Sequence, residues 1–181
     1  MKSTIPENAF QERPDVAGRL RILAVYGQTV LWSMGEGKGA VSFTRTLESL
    51  ATRGHEVRVS LPAAPQDEPG IVPYRGFFLH HASAAESFIP RARLPLPHRL
   101  WERARLWMRY QEWAVARALE VADAMPPDLV LGLGAFEASA AHRVGSILGV
   151  PNATRLFGAW TPYRDRWRQI ANFPERAAIQ A

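Results

Sequence analysis

Gly35, Gly37 and Gly39 alternate with Glu36 and Lys38 in a loop that runs into the helical stretch Val41 to Arg53. An apolar segment with strand character, Arg21 to Tyr26, precedes the loop. Another, Val57 to Leu61, follows the helix after Gly54-His55-Glu56. Strand, glycine-rich loop, helix and strand in that order leave backbone N–H groups free at a helix N-terminus. Such a terminus favours an anion, and glycines let a phosphate approach the backbone because no Cβ intervenes. Gly35, Glu36, Gly37, Lys38 and Gly39 are therefore the first candidate binding residues, for a phosphate or sugar-phosphate group.

Other chemistries fit the residues less well. A phosphate-loop NTPase needs Ser or Thr after its lysine, but Gly39 follows Lys38, and Trp32 stands where the leading glycine belongs. Gly35, Gly37 and Ala40 match a dinucleotide fingerprint. Yet they lie well past the strand end at Tyr26, and the second strand closes on Ser60-Leu61-Pro62 with no acidic residue for a ribose. A nicotinamide-cofactor domain thus remains a second alternative only. His80 and His81 are adjacent on a strand and point to opposite faces, so they are not read as a chelating pair. No G-x-S-x-G elbow is present, and with no cysteine there is neither a disulfide framework nor a thiolate metal site. Neither a metal nor a cofactor is expected.

The elements that must carry the loop alternate along the chain. Beyond Pro62 to Gly70, read as a loop, Arg75 to His81 is expected to be a short third strand. Ala82 to Pro97 is broken by Pro90, Pro95 and Pro97, and a long helix is expected from His98 to Met125. Its apolar face is Leu100, Ala104, Trp107, Ala114, Ala118, Val121 and Met125, with Gln111 as the polar interruption. Pro126-Pro127 ends it, and Asp128 to Leu133 has the unbroken apolar character of a buried parallel strand. A helix from Phe136 to Leu148 with Gly149 as its cap and a fifth strand from Pro151 to Phe157 complete the pattern. Strands alternating with helices predict an α/β fold, an open, mostly parallel sheet of five strands with helices on both faces. Ligands in such sheets bind beyond the carboxyl ends of the strands. That places the loops Gly27 to Gly39, Gly132 to Phe136 and Gly158 to Tyr163 together.

In order and spacing these segments resemble the start of family 4 glycosyltransferases of the GT-B fold. The matching residues are the glycine loop, Arg53-Gly54-His55-Glu56-Val57, Pro127-Asp128-Leu129-Val130, Gly149-Val150-Pro151 and Thr154-Arg155-Leu156-Phe157-Gly158. The resemblance spans residues 19 to 160 and implies a Rossmann-like N-terminal, acceptor-side domain. By the same resemblance, Gly35 to Gly39 approach the donor diphosphate, while Arg155 and Gly158 face the cleft. Arginine suits a phosphate because it can bond two oxygens at once. The implied partners are a nucleotide-sugar donor, an acceptor, and a donor-binding domain with the family's paired glutamates, which is expected outside these residues or on a separate chain. The acceptor-side half is expected to be inactive alone and its sheet to be incomplete. Where many members carry histidines after Pro-Asp, this chain has Leu131 and Leu133. The alternative from another class is a non-catalytic Rossmann-like binding or regulatory module.

Composition sets the remaining expectations. At 181 residues, 47% apolar and 22% charged, the chain matches one globular domain, 19–181, behind a polar lead-in, 1–18, without a signal-like apolar centre. The cytoplasm is the expected location. Net charge is +5, and Lys2 and Lys38 are the only lysines. Arg99, Arg103, Arg105 and Arg109 interleave with Trp101, Trp107 and Met108, a mixture that suits an anionic membrane surface. The tryptophans, six residues apart, form no stripe, so peripheral membrane contact stays the lesser alternative to a solvated face. Nucleic acid is not an expected partner.

Overall fold

The computed structural model describes residues 18–27, 41–63, 68–84 and 96–155. Nine elements follow in order: β1 (Arg21–Val25), α1 (Val41–Thr52), β2 (Glu56–Pro62), β3 (Gly70–Tyr74), β4 (Phe77–Ala82), α2 (Leu96–Ala124), β5 (Leu129–Gly132), α3 (Ala138–Leu148) and β6 (Asn152–Thr154). They build one six-stranded sheet in the order β3-β4-β2-β1-β5-β6. All neighbours run parallel except β3, which is antiparallel to β4.

β1 and β5 are apolar on both sides because both sides are covered, while β2 is apolar toward α1 and carries Arg58 and Ser60 on its other face. Side chains alternate across a strand. Ile22 and Ala24 of β1, Val57, Val59 and Leu61 of β2 and Leu131 of β5 pack with Phe43 and Leu47 of α1. Leu23, Val25 and Val130 turn the other way, against Tyr110, Ala114, Ala118 and Val121 of α2 and Ala140, Ala141 and Val144 of α3. Helices therefore lie on both faces of a mostly parallel sheet, the architecture expected from the alternation. At the amino ends of the strands, Asp128 receives Arg21 through two guanidinium bonds of 2.8 and 3.2 Å and one backbone N–H bond of 2.8 Å.

The structure corrects the strand count. Among the described residues the sheet has six strands rather than the expected five, because Gly70 to Tyr74, of which only Gly70 fell in the expected loop, forms an edge strand. Arg75 and Gly76 both take positive φ, 45° and 87°, closing a two-residue hairpin to β4. Pro73 is tolerated because an edge strand need not donate on its open side. Several boundaries also move: β4 is Phe77–Ala82 where Arg75 to His81 was expected, because Arg75 and Gly76 form the turn, and β6 is Asn152–Thr154 where a strand from Pro151 was expected. α2 begins at Leu96 rather than His98, since Pro97 sits in the first turn, where a missing N–H costs no helical bond. α3 begins at Ala138 rather than Phe136. The expected cap Gly149 ends α3 in left-handed geometry; Gly54, also at positive φ, follows α1, and His55 Nδ1 accepts the Leu20 N–H at 3.2 Å. Among the described residues no helix is long and apolar enough to cross a membrane.

Candidate functional site

β1 and β5 lie side by side, yet the chain leaves them in opposite directions, β1 toward β2 through α1 and β5 toward β6 through α3. This is the topological switch point, where open α/β sheets keep a crevice. Parallel pairing continues past the strand ends: Tyr26 N–H donates to Ser60 O at 3.0 Å, Leu133 N–H to Val25 O at 3.0 Å, and Arg155 N–H to Gly132 O at 2.9 Å. Three chain segments thus reach one rim in fixed register, at Tyr26-Gly27, Leu133-Gly134 and Arg155.

A buried carboxylate sits at that rim. Glu137, only 3% exposed, precedes the first turn of α3, and its Oε1 accepts the Gly27 N–H at 2.8 Å. The bond joins the exit of β1 to the start of α3. Both glycines beside it are required by space. A Cβ on Gly27 would lie 2.9 Å from Glu137 Oε1; one on Gly134, whose φ is +134°, would lie 2.6 Å from Glu137 Oε2. Tyr110 of α2 is fully buried with its ring 4.5 Å from that of Phe136, and Gln111 Nε2 donates to Phe136 O at 2.7 Å. α2 thereby clamps the turn that carries Glu137. Tyr26 packs edge-on against Phe43 of α1, with centroids 5.6 Å apart.

The electrostatics follow from burial around one negative charge. The Tyr26 hydroxyl is pushed up to about 12, first by burial and then by Glu137. Tyr110 is pushed well above the ordinary tyrosine value by burial, then by Glu137 and Tyr26. Both phenols are neutral at physiological pH. Glu137 makes no side-chain bond to the N-terminal N–H groups of α3; its carboxylate turns to Gly27 instead.

Of the residues singled out from sequence, Arg155 stands at this rim, its backbone bonded to Gly132. Gly35, Glu36, Gly37, Lys38, Gly39 and Gly158 lie outside the described residues, though their segments leave from Gly27 and Arg155. Glu137, Tyr26 and Tyr110 were not singled out. Gln111 carried the one available signal, as the polar residue on an otherwise apolar helix face. Among the described residues no group of three or more His, Asp or Glu side chains could hold a metal ion.

Neither a protein-family model nor a curated protein matches this sequence. Solved structures do. The calicheamicin glycosyltransferase CalG4 matches with a TM-score of 0.53 at 18% identity, over 87% of this chain and 36% of its own. The glycosyltransferase SsfS6 of Streptomyces sp. SF2575 gives 0.54 at 18%, over 89% and 44%. The α,α-trehalose 6-phosphate synthase of Burkholderia multivorans gives 0.51 at 14%, over 90% and 38%. The chain thus spans roughly two fifths of these proteins' length. At such identities the likeness is one of fold, and the fold is one that GT-B glycosyltransferases contain.

Proposed function

We propose that this chain is the N-terminal, acceptor-side domain of a glycosyltransferase of family 4 type, which moves a sugar from a nucleotide-sugar to an acceptor. The observation that supports it most is the switch-point rim. There Gly27, held by Glu137, and Arg155 end strands on the same rim, with β5 between them, in a fold shared with GT-B enzymes. In this reading the donor diphosphate lies over the Gly35–Gly39 amides at the entry to α1, with Lys38, Arg155 and Gly158 around it. Donors aimed at the leaving diphosphate stabilise charge that grows in the transition state. Glu137 acts as a positioning residue, fixing where the loop begins. The second wall of the cleft, with the nucleotide-binding groups, comes from a further domain of the same polypeptide or a separate chain.

The test uses the 181-residue chain and the same chain joined to its donor domain. Alone, with a panel of nucleotide-sugars, it should show no transfer, because one wall neither excludes water nor orients donor against acceptor. Joined, it should transfer sugar, and Arg155→Ala should lower kcat/KM about ten- to a hundredfold, the scale of a lost charged hydrogen bond. Robust turnover by the chain alone, or a joined enzyme indifferent to Arg155, overturns the assignment.

A further inference from the structure

α2 is longer than the sheet beneath it needs. Its residues in the core on that face, Tyr110, Ala114, Val115, Ala118, Val121 and Ala122, all lie at Tyr110 or beyond. Tyr110 itself stands at rim level, beside Gly27 and Phe136. Leu96 to Arg109 therefore precede the part that packs on the strands, about 20 Å of helix at ~1.5 Å per residue. A helix that connects two parallel strands runs against them, so these turns stand past the carboxyl ends of the strands.

Leu106 and Tyr110, both buried, mark the inward face of this extension. His98, Trp101, Arg105, Met108 and Arg109 are all exposed and share its outward face, with Glu112 one turn on. The tryptophans of α2 form no stripe, but Trp101, Arg105 and Met108, spaced i, i+4 and i+7, do. Trp101, at 66%, is the most exposed large apolar side chain among the described residues, and Met108 is 55% exposed. Arg105 lies over the Trp101 ring, 5.7 Å from its centroid.

Charge indicates what would cover this stripe. From Leu96 to Arg109 the sequence holds four arginines (99, 103, 105 and 109) against Glu102 alone, a net charge of +3 with His98 neutral. The first turn of α2 carries no acidic residue, so the positive end of its dipole adds to that field. Arg103, Arg105 and Arg109 already have partners in the fold, so they offer a field rather than free hydrogen bonds. A sheet of phosphates above an apolar layer matches field and stripe together. Trp and Met side chains enter the boundary below the headgroups while guanidinium groups stay level with the phosphates. A nucleic-acid backbone would answer the charge but leave Met108 in water.

We propose that the N-terminal turns of α2 are a peripheral docking surface for an anionic lipid bilayer, with Trp101 and Met108 in the headgroup boundary and the arginines toward the phosphates. Docking needs no sugar donor and uses no rim residue, so its failure and the failure of the sugar-transfer proposal are separate results.

The experiment sediments the full chain with vesicles of phosphatidylcholine, either pure or with roughly 30% phosphatidylglycerol. Binding should be at least about tenfold tighter to the anionic vesicles, and should fall between about 50 mM and about 500 mM NaCl. Trp101→Ser should weaken it about tenfold, the scale of withdrawing one large apolar side chain. Ile147→Ser removes a similarly exposed apolar side chain from α3 and should change nothing. Circular dichroism checks that the variants fold, and Arg105→Glu, which should also weaken anionic binding at least about tenfold, decides if Trp101→Ser does not. Equal recovery in the supernatant with both vesicles overturns the inference. So does anionic binding that Trp101→Ser leaves intact, which is plain attraction of a basic chain to any polyanion, or that Ile147→Ser weakens as much.

Discussion

Gly27→Ala tests the rim at its tightest point. The new Cβ would lie 2.9 Å from Glu137 Oε1, 2.9 Å from Phe136 Cδ1 and 3.0 Å from Tyr110 Cζ. Carbon contacts settle at about 3.5–4.0 Å, so buried Glu137 and Tyr110 and partly buried Phe136 must each give way by roughly half an ångström. They cannot retreat independently. Glu137 is held by the Gly27 N–H itself, Phe136 by Gln111, and Tyr110 lies fully buried within α2. Overpacking of this kind costs about 1–3 kcal/mol. Against it, alanine restricts the unfolded chain and returns about 0.4–1 kcal/mol. The steric cost wins, leaving a net loss of about 1–2 kcal/mol, or a fall in Tm of roughly 2–8 °C for a chain of this size. Urea titration and thermal melting by circular dichroism measure it. In a Glu137→Ala background one of the three obstacles is gone, and the Gly27→Ala penalty should shrink, a non-additivity expected only of groups in contact. A variant as stable as the parent would refute the geometry of the rim.

Three further outcomes follow. Gly134→Ala should be worse than Gly27→Ala, by denaturant titration at least ~2 kcal/mol, because it adds left-handed backbone strain to a contact of 2.6 Å. Glu137→Gln keeps an acceptor for Gly27 but removes the charge. Ultraviolet titration should then find Tyr26 ionising below its present value of about 12 yet above the ordinary 10.0, since burial is the larger cause. Asp128 is held at about 2, down from 3.8, chiefly by the Arg21 side-chain bonds. A lowered carboxyl stabilises the fold above its unfolded value and loses that contribution as pH falls through the folded one. The Tm difference between the parent and Asp128→Asn should therefore be full at pH 5 and above, and vanish between about pH 4 and pH 2.

What was legible in the chain follows from which interactions are local. β1 and β5 announce themselves because strands buried on both faces must be apolar throughout, β2 because Val57, Val59 and Leu61 alternate with polar residues, and the helices between them because each needs one apolar stripe. β3 did not, for opposite reasons. Ile71 and Val72 are exposed, so no alternation marks an inner face; Pro73 interrupts the run; and the turn uses Arg75 where a left-handed position usually shows Asn or Gly. The rim was half legible. Sequence order alone brings Gly27, Gly134 and Arg155 to one edge, because parallel strands all end there. Glu137 was invisible because a single carboxylate at a helix start reads as an ordinary solvated cap. What makes it otherwise is the bond to Gly27, 110 residues away, which no window of sequence contains. Gln111 shows how such a contact can still leave a trace. A polar side chain placed on a buried stripe must find a partner or cost the fold a buried, unsatisfied group. Its partner, Phe136 O, lies one residue before Glu137. The polar interruption of α2 therefore marked the turn that carries the rim carboxylate.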